Sequence, residues 1–133
     1  MIVKDPEVKR ELVEAAVGQD FIAQAPVVIV VCSNTDRVMK RYGDRGVKFY
    51  SIVDGAFASM LILLTVVNEG LGACFVGAFK DDEVAKILKL PKYVKPIGII
   101  PIGHPNEPAE KMEGISLQEI THYEAYGKKT DLN

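Results

Sequence analysis

The chemistry of this chain is concentrated in a glycine-rich segment rather than in reactive side chains. Residues 70–79 read Gly-Leu-Gly-Ala-Cys-Phe-Val-Gly-Ala-Phe and precede the acidic run Asp81-Asp82-Glu83. In a helix or strand interior, glycine costs roughly 0.5–1 kcal/mol relative to alanine. Gly70, Gly72 and Gly77 therefore indicate a helix end, or a backbone that approaches a ligand closely. Such a segment could bind a cofactor through main-chain N–H groups.

Familiar catalytic motifs are missing from the sequence. It has no G-x-x-x-x-G-K-[ST] loop, H-E-x-x-H helix or G-x-S-x-G elbow, and its glycine spacing does not fit G-x-G-x-x-G. His104 and His122 lie far apart without a cysteine or carboxylate cluster, so no metal site is predicted. Cys32 and Cys74 lie in apolar runs and are predicted to be core thiols. A cofactor held by the backbone is the leading hypothesis.

Composition indicates an ordinary globular protein of one domain, residues 1–133. Eighteen acidic and sixteen basic residues give a net charge of −2 without a long basic run, so nucleic-acid binding is not expected. The first residues carry charges where a signal peptide needs an apolar region. With only two cysteines, the sequence favours a reducing, cytoplasmic location.

Local patterns predict a series of helices and strands. Asp5 is predicted to cap a helix that begins at Pro6, and Ser116 with Glu119 has the spacing of a capping box. A third cap is predicted at Asp81. Residues 36–49 are charged and contain two glycines, so they are predicted to form a surface loop with a little helix. The clearest strands are Val27–Cys32 and Ile97–Ile102.

The residues from Tyr50 to Glu69 predict a helix that is apolar on nearly every side. Asp54 and Asn68 leave an apolar run too short for a membrane span of about 20 residues, so no membrane association is expected. One small domain cannot cover such a helix, so we expect a second copy of the chain to do so. Small residues along the helix would permit close helix–helix approach: Gly55, Ala56, Ala58 and Ser59.

Five blocks of this sequence, in order, resemble the nitroreductase family of flavin enzymes. They are Gln19 to Pro26 before an apolar strand, Asp54-x-x-x-Ala58, Gly70 through Phe79, Ile99-Ile-Pro-Ile-Gly-His-Pro105, and Glu119-Ile-x-His122-Tyr123. The resemblance implies an α+β fold of three α/β/α layers, with a central mixed sheet and a long, buried dimer-interface helix. It also implies a homodimer with FMN at the interface, and NAD(P)H-dependent reduction of a nitroaromatic, quinone or similar small-molecule acceptor.

The resemblance assigns cofactor contacts but no catalytic side chain. Val76, Gly77 and Ala78 match the family's segment beneath the isoalloxazine ring, where a backbone N–H faces flavin N5. Lys111 matches a basic residue that contacts the FMN phosphate, whereas Gly114 stands at a second position that is usually arginine.

Two alternatives stay open at this point. Family members ordinarily carry an arginine-rich segment before the strand matched by Ile2-Val3, and these 133 residues hold no counterpart, so weak FMN binding is expected. The alternative to an enzyme is therefore a cofactor-free or weakly FMN-binding dimeric module on the same scaffold. The sequence leaves open NADH versus NADPH and the acceptor, for which Arg37 to Tyr50 is the candidate specificity region.

Overall fold

An antiparallel sheet forms the centre of the computed structural model, which describes residues 1–108 and 113–129. Its strands in chain order are β1 (Ile2–Val3), β2 (Val27–Asn34), β3 (Gly72–Ala73) and β4 (Val94–Gly103). Within the sheet the order is β1-β2-β4-β3. All pairings of these strands are antiparallel, so the implied mixed sheet is not found among the described residues.

The two long strands, β2 and β4, carry most of the sheet. Their register pairs Ile29 with Ile100, and both strands extend beyond the predicted ranges, as far as the pair of Asn34 with Val94. The register shifts between Val31 and Cys32, where Pro96 faces β2. Because proline has no N–H to donate, a bulge at this point removes the need for a regular ladder bond.

Helices cover both faces of the sheet. They are α1 (Pro6–Ala15), α2 (Phe21–Gln24), α3 (Thr35–Arg45), α4 (Ser51–Asn68), α5 (Asp81–Ile87) and α6 (Leu117–Ile120). On one face, α1, α2 and α5 bury a core against Val28, Val30 and Ile99. On the other face, α4 packs against a second core that contains Ile100 and Ile102. The predicted α+β fold with three layers is confirmed.

Two of the three predicted helix caps are confirmed. The Asp5 carboxylate accepts hydrogen bonds from the backbone N–H groups of Glu7, at 2.8 Å, and Val8, at 3.3 Å. Ser116 and Glu119 form the reciprocal capping box of α6. The predicted cap at Asp81 is wrong, because Asp81 is the first helical residue and Lys80 precedes it as N-cap.

Residues 36–49 are helical, so the predicted surface loop is wrong. The Asn34 side chain caps α3 by accepting from the Arg37 N–H at 3.1 Å, and a π-helical turn (Gly46–Tyr50) joins α3 to α4. Gly43 accommodates a kink with φ of 59°. Gly46 permits close packing, because a Cβ there would lie 2.7 Å from side-chain atoms of Val38 and Tyr42.

Helix α4 contacts the sheet along one side only. Gly55 and Ser59 are buried, and a Cβ at Gly55 would lie 2.8 Å from the Ile97 side chain. Gly55 and Ser59 thus permit close approach between α4 and its own sheet, whereas Ala56 and Ala58 are exposed. The outer side remains exposed, at 67% for Phe57 and 65% for Leu61, so the described part of this chain does not bury the helix. By length and composition, the helical stretch Thr35–Asn68 would also pass as a membrane span, as core helices can.

Replacing Gly55 by alanine should destabilise the protein despite alanine's higher helix propensity. The new methyl group would lie 2.8 Å from Ile97. Overpacking should outweigh the propensity gain and leave a net loss of about 1–2 kcal/mol in the free energy of unfolding. Urea denaturation at fixed protein concentration measures this change in the free energy of unfolding. The control is Gly114→Ala, since no heavy atom of the described residues lies within 4 Å of the position that its Cβ would take. Equal stability of Gly55→Ala and the parent would contradict this packing.

Candidate functional site

The glycine-rich segment begins where α4 ends in a left-handed glycine. Gly70 has a φ of 72°, and the following N–H of Leu71 donates to the Val66 carbonyl at 3.0 Å. Glycine adopts this conformation without the steric penalty of a Cβ. The chain then enters β3, where Gly72 pairs with Gly103 at the edge of the sheet. The predicted helix end at Gly70 is confirmed.

Val76 anchors the middle of the segment to β4. Its N–H donates to the Ile99 carbonyl at 2.9 Å, and its carbonyl accepts from the Ile99 N–H at 3.0 Å. The Val76 side chain is only 2% exposed and belongs to the core beneath α1. The Val76 N–H is thus already bonded within the sheet, and the next residues are the ones whose N–H groups the family resemblance points to.

Gly77 and Ala78 form an exposed connection from this anchor to the bend at Phe79, and this connection is called the turn at Gly77 below. Among the hydrogen bonds of the described residues, none uses the N–H of Gly77 or Ala78. The Ala78 carbonyl accepts from the Gln19 side chain at 3.3 Å, and the Lys80 N–H donates to the Ala15 carbonyl at 2.9 Å. The turn is thus held on both sides while it presents two N–H groups. Lys111, the expected phosphate contact, lies outside the described residues.

Phe75 is a neighbour of this turn that the sequence did not identify. Its ring lies over Gly98 of β4, where a Cβ would come within 2.2 Å of the ring. A Cβ on Gly77 would lie 3.2 Å from the other edge of the same ring. A glycine inside an apolar strand often marks such a close approach. Gly98 is therefore the residue in the sequence that could have indicated this contact.

The thiols and histidines do not add a reactive centre to the turn. Cys32 is half-buried, and burial raises the pKa of its thiol, which disfavours the nucleophilic thiolate at neutral pH. Cys74 is exposed, so its predicted core position is wrong. His104 is exposed, and the His122 ring lies 4.5 Å from that of Tyr126. Among the described residues, no three His, Cys, Asp or Glu side chains are grouped to hold a metal.

A separate cleft of about 390 Å³ lies between the end of β2, α3 and the start of α4. Arg37, Arg41 and Tyr42 line it from α3, and Asp54 lines it from α4. These residues belong to the predicted specificity region or border it. Their charges make the cleft chemically different from the turn at Gly77.

Known proteins resemble this chain in both sequence and fold. The model of the nitroreductase family matches residues 2–104. A protein of Methanocaldococcus jannaschii named as a nitroreductase is 40% identical over 76% of this chain and 50% of its own length. The FMN reductase [NAD(P)H] of Bacillus subtilis is 30% identical over 98% of this chain and 57% of its own length. The solved structure of the nitroreductase NfrA1 from B. subtilis superposes with a TM-score of 0.85 at 26% identity, covering 98% of this chain and 58% of that chain.

The chain thus spans about half the length of the relatives that it matches. The superposition supports the nitroreductase-like fold that the resemblance implied.

The contact between Phe75 and Gly98 predicts a strong energetic coupling. Gly98→Ala would force the ring away, at a cost of about 1–3 kcal/mol in the free energy of unfolding. In a Phe75→Ala background the same substitution should cost much less, because the ring is gone. A double-mutant cycle by urea denaturation should therefore give a coupling energy of roughly 0.5–3 kcal/mol. Additive costs would contradict the observed contact.

Proposed function

We propose that this chain, which belongs to the nitroreductase family, is an FMN-dependent oxidoreductase. It would transfer reducing equivalents from NAD(P)H to a nitroaromatic, quinone or similar acceptor. The names of its relatives support a flavin and a nicotinamide nucleotide. The observation that carries the proposal is the turn at Gly77 and Ala78, two exposed residues behind a fixed anchor whose N–H groups bond to no other described residue.

The turn suits a flat, aromatic cofactor. Gly77 has no Cβ, so a ring can approach the backbone, and the neighbouring Phe75 is 41% exposed and offers an apolar edge. The N–H groups of Gly77 and Ala78 would hold the ring, and Lys111 would contact the phosphate. The donor set contains no acid or base, and this fits a site in which the cofactor supplies the reactive atoms.

When bound, the flavin would supply hydride acceptance from the nicotinamide and electron donation to the acceptor. The protein's part is to position the flavin ring and to donate hydrogen bonds to it. The bonds between Val76 and Ile99 fix the direction of the following N–H group, and a fixed donor loses little entropy on binding. The proposal includes a cytoplasmic location, which suits the free thiols Cys32 and Cys74.

We also propose that the protein is a homodimer through the outer side of α4. That side exposes large apolar residues that the described part of the chain does not cover: Ile52, Phe57, Met60, Leu61, Leu64 and Val67. Burial of each such side chain contributes roughly 1.5–3 kcal/mol. A second copy would remove this exposed patch from water.

Gly77→Val should weaken FMN binding at least about tenfold, because a branched side chain would block the approach to the N–H groups. Titration of FMN, followed by the quenching of its fluorescence, measures the dissociation constant. Circular dichroism should stay unchanged. The control is Glu11→Val, which places the same side chain at an exposed position of α1. Equal FMN affinity of Gly77→Val and the parent would contradict the proposed site. No FMN binding by the parent would favour the cofactor-free module.

Val67→Glu should convert the dimer to a monomer, because it places a charge in the proposed interface. Size-exclusion chromatography with light scattering measures the mass at micromolar concentration. Val17→Glu is the matched control, since Val17 is 73% exposed at the end of α1 and Val67 is 68% exposed on α4. A monomeric parent, or a dimeric Val67→Glu variant, would contradict the interface.

A further inference from the structure

We infer that the cleft between α3 and α4 binds the 2′-phosphorylated adenosine end of NADPH. The inference rests on the proposed function, since it names which nicotinamide nucleotide the protein prefers. The cleft volume of about 390 Å³ lies within the usual range for small-molecule sites. Both walls of the cleft contribute charged side chains: Arg37 and Arg41 from α3, and Asp54 from α4.

The two cleft arginines differ from the lysines nearby. Lys40 pairs with Asp36 at 2.8 Å, and Lys48 pairs with Asp44 at 3.7 Å, each with an acid four residues earlier. Arg37 and Arg41 line the cleft, and no ion pair among the described residues includes either of them.

The spacing of these arginines leaves two like charges side by side. They are four residues apart on α3, before the kink at Gly43, so both face the same side of the helix. Like charges at this spacing modestly destabilise a helix, and a bound dianion would offset the repulsion. Guanidinium groups also match the geometry of a phosphate through paired hydrogen bonds.

Other groups in the cleft favour a nucleoside over a bare anion. The Tyr42 ring is 51% exposed; Tyr50 contacts it edge-on at 5.4 Å between ring centres, and the Arg41 guanidinium lies over it at 5.4 Å from the ring centre. An aromatic face of this kind can stack on adenine. From the opposite wall, the exposed Asp54 carboxylate can accept from a ribose hydroxyl or the adenine amine. Asp54 disfavours an anionic group on its own wall, so a ligand that places a phosphate at the arginines and a hydroxyl or amine donor at Asp54 fits best.

The sheet places the cleft within reach of the turn at Gly77. Val30 pairs with Ile99, and Val76 pairs with the same Ile99 from the other side. Neighbouring strands lie about 4.8 Å apart, so Val30 and Val76 are about 10 Å apart across the sheet. The cleft begins at Val31, and the exposed turn begins at Gly77. An extended dinucleotide could connect the Val31 end of the cleft with the turn at Gly77.

A binding experiment without flavin or turnover tests the inference. Adenosine 2′,5′-bisphosphate and adenosine 5′-diphosphate carry similar charge but place it differently. Isothermal titration calorimetry should give at least about tenfold tighter binding of the 2′,5′-bisphosphate, as expected for one extra charge-assisted contact. Arg37→Gln and Arg41→Gln should each remove most of this preference. Lys40→Gln, on the same helix but outside the cleft, should keep it.

The outcomes separate this inference from the proposed function. Equal affinity for the two nucleotides, or a preference that survives both arginine substitutions, would overturn it. Displacement of the 2′,5′-bisphosphate by FMN in direct competition would also overturn it, because the cleft would then take the flavin phosphate. Circular dichroism of each variant establishes that α3 still folds. The measurement needs no flavin. A preference for the 2′,5′-bisphosphate would therefore still support this inference if the oxidoreductase proposal failed.

Discussion

The reciprocal hydrogen bonds between Val76 and Ile99, at 2.9 and 3.0 Å, are the contact on which the candidate site depends. They add the glycine-rich segment to the sheet beyond β4 and bury the Val76 side chain in the core. Because this pair uses the Val76 N–H, the exposed donors are those of Gly77 and Ala78. A rigid sheet therefore positions main-chain groups that would otherwise belong to a mobile loop.

The close contact of α4 with β4 connects the fold to the proposed assembly. Gly55 brings the start of the helix within contact of Ile97, and Val66, with Ile62 and Leu63, packs against the sheet further along. Other large apolar side chains lie on the outer side, where the described residues offer no cover. The same helix thus stabilises the sheet on one side and supplies the proposed dimer contact on the other.

Local interactions were the most predictable from the sequence. The Asp5 cap, the Ser116–Glu119 capping box and the helix end at Gly70 depend on residues within one turn, and all three are confirmed. The helix over 35–45 was missed because Gly43 and Gly46 resemble loop residues. Contacts distant in sequence, such as Phe75 on Gly98, determine which N–H groups and which surfaces are accessible. Gly98 indicates a close approach, but no local pattern identifies its partner, so the site was predictable as a segment but not in its geometry.

Nuclear magnetic resonance of the ¹⁵N-labelled protein, titrated with FMN, tests the backbone site most directly. We expect the amide resonances of Gly77 and Ala78 to shift on binding, while the amides of Val76 and Ile99 stay protected from hydrogen exchange throughout. FMN binding that shifts resonances elsewhere and leaves Gly77 and Ala78 unchanged would contradict the account.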